Sequence, residues 1–153
     1  DVDDPLFAPG GNLPLRVKEY CEKTGQYVPQ TRGEVMRCIY QSLAMKYKYT
    51  FNKLKEISGR DYKSINMLGG GIKDKFLCRL TADATGVKVL AGPTEATAMG
   101  NIGVVFHALG EIRDFKHLRE VTSASTDLKT YTPTDCEAWD KAYENYVKLI
   151  DNN

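Results

Sequence analysis

A short apolar run, Ser64-Ile65-Asn66-Met67-Leu68, ends directly in Gly69-Gly70-Gly71, and helical spacing resumes at Phe76. No other part of the chain limits the fold as much. The run reads as a strand feeding a tight turn. Phe76, Leu77, Leu80 and Ala84 carry helical spacing up to Gly86. Val87-Lys88-Val89-Leu90 is then a β-branched-rich strand bounded by Gly86 and Gly92-Pro93. Strand, glycine turn, helix, strand predicts an α/β fold, with short parallel strands and covering helices.

The flanking elements follow from their own punctuation. Asn12 caps a helix through Lys23, with Pro14 in the first turn and Gly25 as its stop. Thr31 and Glu34 have capping-box spacing. Val35, Ile39, Leu43, Tyr47, Phe51 and Leu54 then form the stripe of a long amphipathic helix ending near Ser58-Gly59. Thr94-Glu95 opens a helix through Leu109, whose small residues Ala96, Ala98, Gly100 and Gly103 predict close packing on a sheet or another helix. A short helix over Phe115 to Val121, an edge strand over Leu128 to Tyr131 and a last helix through Trp139, Tyr143, Tyr146 and Ile150 complete the chain. Only two or three strands are visible, few for a free-standing α/β sheet, so part of the sheet is expected outside this chain.

At 153 residues the chain has the size of one domain, and its 42% apolar and 27% charged residues are those of a globular protein. The net charge of +1 gives no electrostatic reason to expect nucleic acid or an anionic membrane surface. No run approaches the roughly 18 apolar residues of a membrane span. The acidic start, Asp1-Val2-Asp3-Asp4-Pro5, does not read as a secretory signal, though a fragment or processed chain would lack one too; a cytoplasmic location is the expectation. Cys21, Cys38, Cys78 and Cys136 are too scattered for a metal site and read as reduced thiols. Cys21 and Cys38 lie at one level of a helical hairpin, so a disulfide between them is the alternative.

A glycine turn at the carboxyl end of a strand has a chemical use. Glycines accept positive φ angles and leave the backbone open to a ligand. A following helix start offers unpaired N–H groups, favourable for phosphate. Triple glycines also serve as plain sharp connections. The segment is neither a GxxxxGK[ST] loop nor a GxGxxG fingerprint.

Three stretches carry a resemblance: Ile65 to Gly71, Leu77 to Gly86 with its Ala82-Asp83, and Ala91-Gly92-Pro93-Thr94-Glu95 to Gly103. They resemble the C-terminal part of the rhamnulokinases, in the FGGY group of carbohydrate kinases. Glu19-Tyr20-Cys21, Thr24-Gly25-Gln26, Gly33-Glu34, Cys38-Ile39, Tyr131 and Trp139 to Tyr146 agree, so nearly the whole chain is covered. The resemblance implies the actin-like, ribonuclease-H-like fold, with residues 1–153 as an incomplete C-terminal ATP-binding domain. It implies phosphorylation of L-rhamnulose at its 1-hydroxyl by ATP, with Mg²⁺ on the phosphates. It places Gly69, Gly70 and Gly71 against the adenosine and inner phosphate. Asp74 stands where the group often has asparagine near the adenine or ribose; a solvated helix-cap carboxylate is the other reading.

The group's catalytic aspartate, sugar pocket and phosphate hairpins lie upstream of the matched stretches, so this chain alone is expected to be inactive. Asp83 and Glu95 read as structural, a helix acid and a helix-start acid. His107 reads as packed or hydrogen-bonded, and His117 as solvated. Alternatives are an FGGY kinase for another ketose or polyol, a stand-alone nucleotide-binding module, and a purely structural domain. Apolar surface left by missing strands would invite a homodimer.

Overall fold

The computed structural model describes residues 1–151. In chain order it contains α1 (Leu13–Lys23), α2 (Arg32–Ser58), β1 (Ser64–Met67), α3 (Lys75–Thr85), β2 (Lys88–Ala91), α4 (Ala96–Ala108), α5 (Phe115–Ala124), β3 (Lys129–Tyr131) and α6 (Cys136–Asp151), with 3₁₀ turns at Pro5–Phe7 and Gly70–Lys73.

Local chemistry sets the helix ends. Asn12 accepts from the Leu15 N–H at the start of α1. At α2 the Thr31 hydroxyl accepts from the Glu34 N–H, and the Glu34 carboxylate accepts from the Gln30 and Thr31 N–H groups. Those two backbone amides hold the Glu34 carboxyl below its ordinary pKa. Gly59, at φ 63°, closes α2 in the left-handed conformation.

The buried face of α2 departs from the predicted stripe. Val35 and Phe51 are buried, but Tyr47 and Leu54 are exposed, and Ala44, Met45 and Lys48 are buried instead. The cause is a change of neighbour along the helix. Val35 packs with Val17 and Cys21 of α1, whereas Ala44 packs with Leu80 and Ala84 of α3 and with Trp139 of α6. A helix that serves different neighbours need not keep one stripe. Lys48 reaches the Asp140 carboxylate and stands over the Tyr143 ring, so its buried stem ends in a paired charge.

β1 and β2 pair in parallel, with Ile65 opposite Val89 and Met67 opposite Ala91. β3 joins β2 antiparallel, with Leu90 opposite Thr130. The strand order β1-β2-β3 thus keeps the expected parallel pair and puts β3 at the edge, as expected, as an antiparallel member. α3 covers one face of this sheet, where Cys78 and Ala82 meet Val89 and Ala91. Its other side meets α2, so seven of its eleven residues are buried. Buried Asp83 is hydrogen-bonded: its Oδ1 accepts from the Thr134 N–H at 2.7 Å and the Thr134 hydroxyl at 3.1 Å.

α4 contradicts the packing expected of its small residues. Only Gly103 is buried, beneath Leu118 of α5, where an added Cβ would stand 2.2 Å from a Leu118 methyl. His107 is hydrogen-bonded through Nδ1 to the Ile112 carbonyl at 2.6 Å. His117 is half-buried rather than fully solvated, and its Nδ1 accepts from the Arg113 N–H. Cys21 and Cys38 pack together in the α1–α2 hairpin as free thiols, and burial with the neighbouring Cys38 pushes the Cys21 thiol up to about 11. Among the described residues no helix is long and apolar enough to cross a membrane.

Candidate nucleotide-contacting turn

The ends of β1 and β2 are stitched together beyond the last ladder pair. The Gly92 N–H donates to the Met67 carbonyl at 3.0 Å, and the Gly69 N–H donates to the Pro93 carbonyl at 3.1 Å. Gly69 adopts φ 80° and ψ −166°, a conformation that turns the chain out of the strand and that a side chain rarely accepts. Gly92, at φ 139°, has the Leu128 side chain 2.9 Å from where its Cβ would stand. Both glycines are required by the fold.

Gly70 and Gly71 are different. Neither has a positive φ, and a Cβ on either would meet nothing within 4 Å. Their bare backbone faces open space at the carboxyl ends of two parallel strands, where ligands of open α/β sheets gather. Leu68, which precedes Gly69, is exposed, and the Thr94 carbonyl lies 4.0 Å from where a Gly69 Cβ would stand.

The helix start proposed for phosphate is not free. Gly70 and Gly71 open the 3₁₀ turn that leads to α3, and Asp74 is the N-cap of α3. Its Oδ1 accepts from the Phe76 and Leu77 N–H groups, both at 3.0 Å, and its Oδ2 accepts from the Tyr40 hydroxyl of α2. The Tyr40 bond, followed by the Leu77 amide, holds the Asp74 carboxyl below its ordinary range. The same bond raises the Tyr40 phenol. Asp74 is thus a helix cap with both oxygens engaged inside the chain. The start of α4 beside the turn has Glu95 at its cap position without a side-chain cap hydrogen bond. α4, not α3, therefore has the barer first turn.

Tyr40 is the residue that sequence reasoning missed. It lies 34 positions from Asp74 and outside the predicted stripe. The only signal is an aromatic residue one place beyond Ile39 on a helix whose face changes neighbour. A separate cleft of about 720 Å³ lies between the α1–α2 hairpin and α6, lined by Cys38, Met45, Leu80, Trp139 and Tyr146. Gly69, Gly70 and Gly71 do not line it.

The family model for the FGGY family of carbohydrate kinases, C-terminal domain, matches residues 7–109. A rhamnulokinase of Bacteroides thetaiotaomicron is 41% identical over 148 residues, covering 97% of this chain and 30% of that protein. A rhamnulokinase of Halalkalibacterium halodurans is 41% identical over 137 residues, 90% of this chain and 29% of its own length. One from Bacillus subtilis is 36% identical over 137 residues, covering 28% of its own length. The chain thus spans under a third of the length of these relatives.

Proposed function

The chain belongs to the FGGY family of carbohydrate kinases, and on that footing we propose that it supplies the adenosine side of the ATP cleft in an ATP-dependent L-rhamnulose kinase. Its α/β fold is part of the actin-like, ribonuclease-H-like ATPase lobe. The observation that carries the proposal is the open backbone at Gly70 and Gly71, which neither φ nor internal crowding requires to be glycine. Gly69, Gly70 and Gly71 lie along the nucleotide, and Asp74 supports the turn from the protein side. The relatives' name, rhamnulokinase, favours rhamnulose as the sugar; L-rhamnulose 1-phosphate as product and a cytoplasmic setting are further parts of the proposal.

Phosphoryl transfer depends on parts that converge on one nucleotide, so one part does not turn over alone. Residues 1–153 are, in this reading, the C-terminal portion of a longer domain. β1 is an edge strand and α4 presents an apolar face, which supports further structure packing there. Mg²⁺ accompanies the phosphates; among the described residues no cluster of three or more His, Cys, Asp or Glu side chains could hold it.

Calorimetric titration of ADP into the chain and its Gly70→Arg variant tests the turn. The arginine should weaken binding at least about tenfold, because its side chain occupies the open face. Equal affinity in the two proteins would sink the assignment. For the substrate, the longer polypeptide should phosphorylate L-rhamnulose in preference to other ketoses, and failure to do so rejects that part.

A further inference from the structure

Asp74 is bound on every side, and its bonds lead in two directions. Toward the turn, the Asp74 N–H donates to the Gly71 carbonyl at 3.2 Å, and the Ile72 N–H donates to the Gly69 carbonyl at 3.3 Å. Toward α3, its carboxylate caps Phe76 and Leu77, and its carbonyl accepts from Cys78. The remaining carboxylate oxygen is taken by Tyr40, a side chain from another element.

Tyr40 is itself held. Its ring meets Phe76 edge-on, with centroids 5.5 Å apart and planes at 77°, and it packs against the buried Ala44, Leu80 and Ala84. The Arg37 guanidinium lies over the far partner, the Phe76 ring, at 5.5 Å. The hydroxyl therefore has a fixed position relative to α2, which is anchored along α3. A fixed donor to one oxygen, and two backbone donors to the other, leave the Asp74 carboxylate one orientation.

We propose that Tyr40 is a positioning residue: through Asp74 it ties the glycine turn to the long helix α2 and so sets the conformation that Gly70 and Gly71 present to nucleotide. The last clause rests on the nucleotide reading above; the tie itself does not. The three bonds on Asp74 favour its ionised form, because each donor points at a carboxylate oxygen. The carboxyl is accordingly depressed, with Tyr40 the largest cause. A depressed acid stabilises the fold above its unfolded pKa, and that contribution is lost as pH falls through the lower folded value. The turn should therefore loosen in acid, below the ordinary aspartate range.

The test is amide NMR of the chain, following the Gly70, Gly71 and Ile72 resonances with pH, hydrogen exchange at the bonded Ile72 and Asp74 amides, and ADP affinity. Tyr40→Phe keeps the ring packing and removes only the donor. It should move the acid midpoint of the glycine resonances upward and speed exchange of the Ile72 and Asp74 amides about tenfold, in line with a hydrogen bond to a charged group. It should also weaken ADP several-fold without a matching loss of thermal stability. Asp74→Asn keeps a cap oxygen and can donate its amide to the Tyr40 oxygen. It should leave the turn ordered but abolish the pH dependence. Unchanged midpoint and exchange in Tyr40→Phe would overturn the tie, whatever ADP does. A loosened turn with unchanged ADP affinity would overturn the link to binding. Failure of the unsubstituted chain to bind ADP counts against the nucleotide reading and not against the tie, which the resonances report directly.

Discussion

α3 and α4 are consecutive helices of similar length, each following a strand of one parallel pair, yet they end in opposite environments. α3 carries Lys75, Arg79 and Asp83 and buries seven residues between the sheet and α2. α4 contains no Asp, Glu, Lys or Arg and buries only Gly103. Ile102, Val104, Val105, Phe106 and Leu109 are exposed, Leu109 by 69%. Burial is therefore decided by the presence of a second surface. Apolar composition states only that a partner would be favourable. α3 has two such surfaces, one lined by Val89 and Ala91 and one by Ala44. α4 has the reach of Leu118 over Gly103, a His107–Phe115 ring contact and a Met99–Thr126 contact, none of which covers its apolar face.

The contrast can be attacked where it is steepest. Leu80→Ala empties a site shared by α2, α3 and Trp139, and should cost about 3 kcal/mol in urea unfolding. A cost below about 0.5 kcal/mol would mean that α3 is not clamped as described. Gly103→Val drives a side chain into Leu118 and should cost about 1–3 kcal/mol locally. Hydrogen exchange should then quicken over residues 96–124 while the amides of α2 and α3 stay protected. Global unfolding by this change would show that α4 and α5 are integral to the core. Smallest of all, Ile102→Ser combined with Phe106→Ser should alter stability by no more than about 0.5 kcal/mol, since both residues are exposed. Light scattering should show less self-association in that variant. A large destabilisation would prove that the face is covered in solution.

The elements were legible to different depths. Caps and stops at Asn12, Thr31, Glu34 and Gly59 act within a few residues, so their sequence spacing already contains the contact. The third strand was visible, but its antiparallel sense depends on how the chain returns from α5, which no local pattern records. Tyr47 and Leu54 fit the periodicity of α2 and still lie exposed, because the buried face shifts to Ala44, Met45, Lys48 and Phe51 where the helix changes neighbour. At the turn, three glycines looked equivalent in sequence. Geometry separates Gly69, held at a positive φ, from Gly70 and Gly71, which the fold leaves open.

By itself, the sequence determined the order of elements, the capped starts of α1 and α2, the strand–glycine–helix passage and the family resemblance, all of them short-range or directly spelled out in residues. Only the tertiary structure decided what occupies the start of α3. The bonds that settle it span 34 residues from Tyr40 to Asp74, just as 51 separate Asp83 from Thr134. Hydrogen bonds of such separation exist only once distant elements are packed, because the cost of closing the loops is met by the surfaces buried between them.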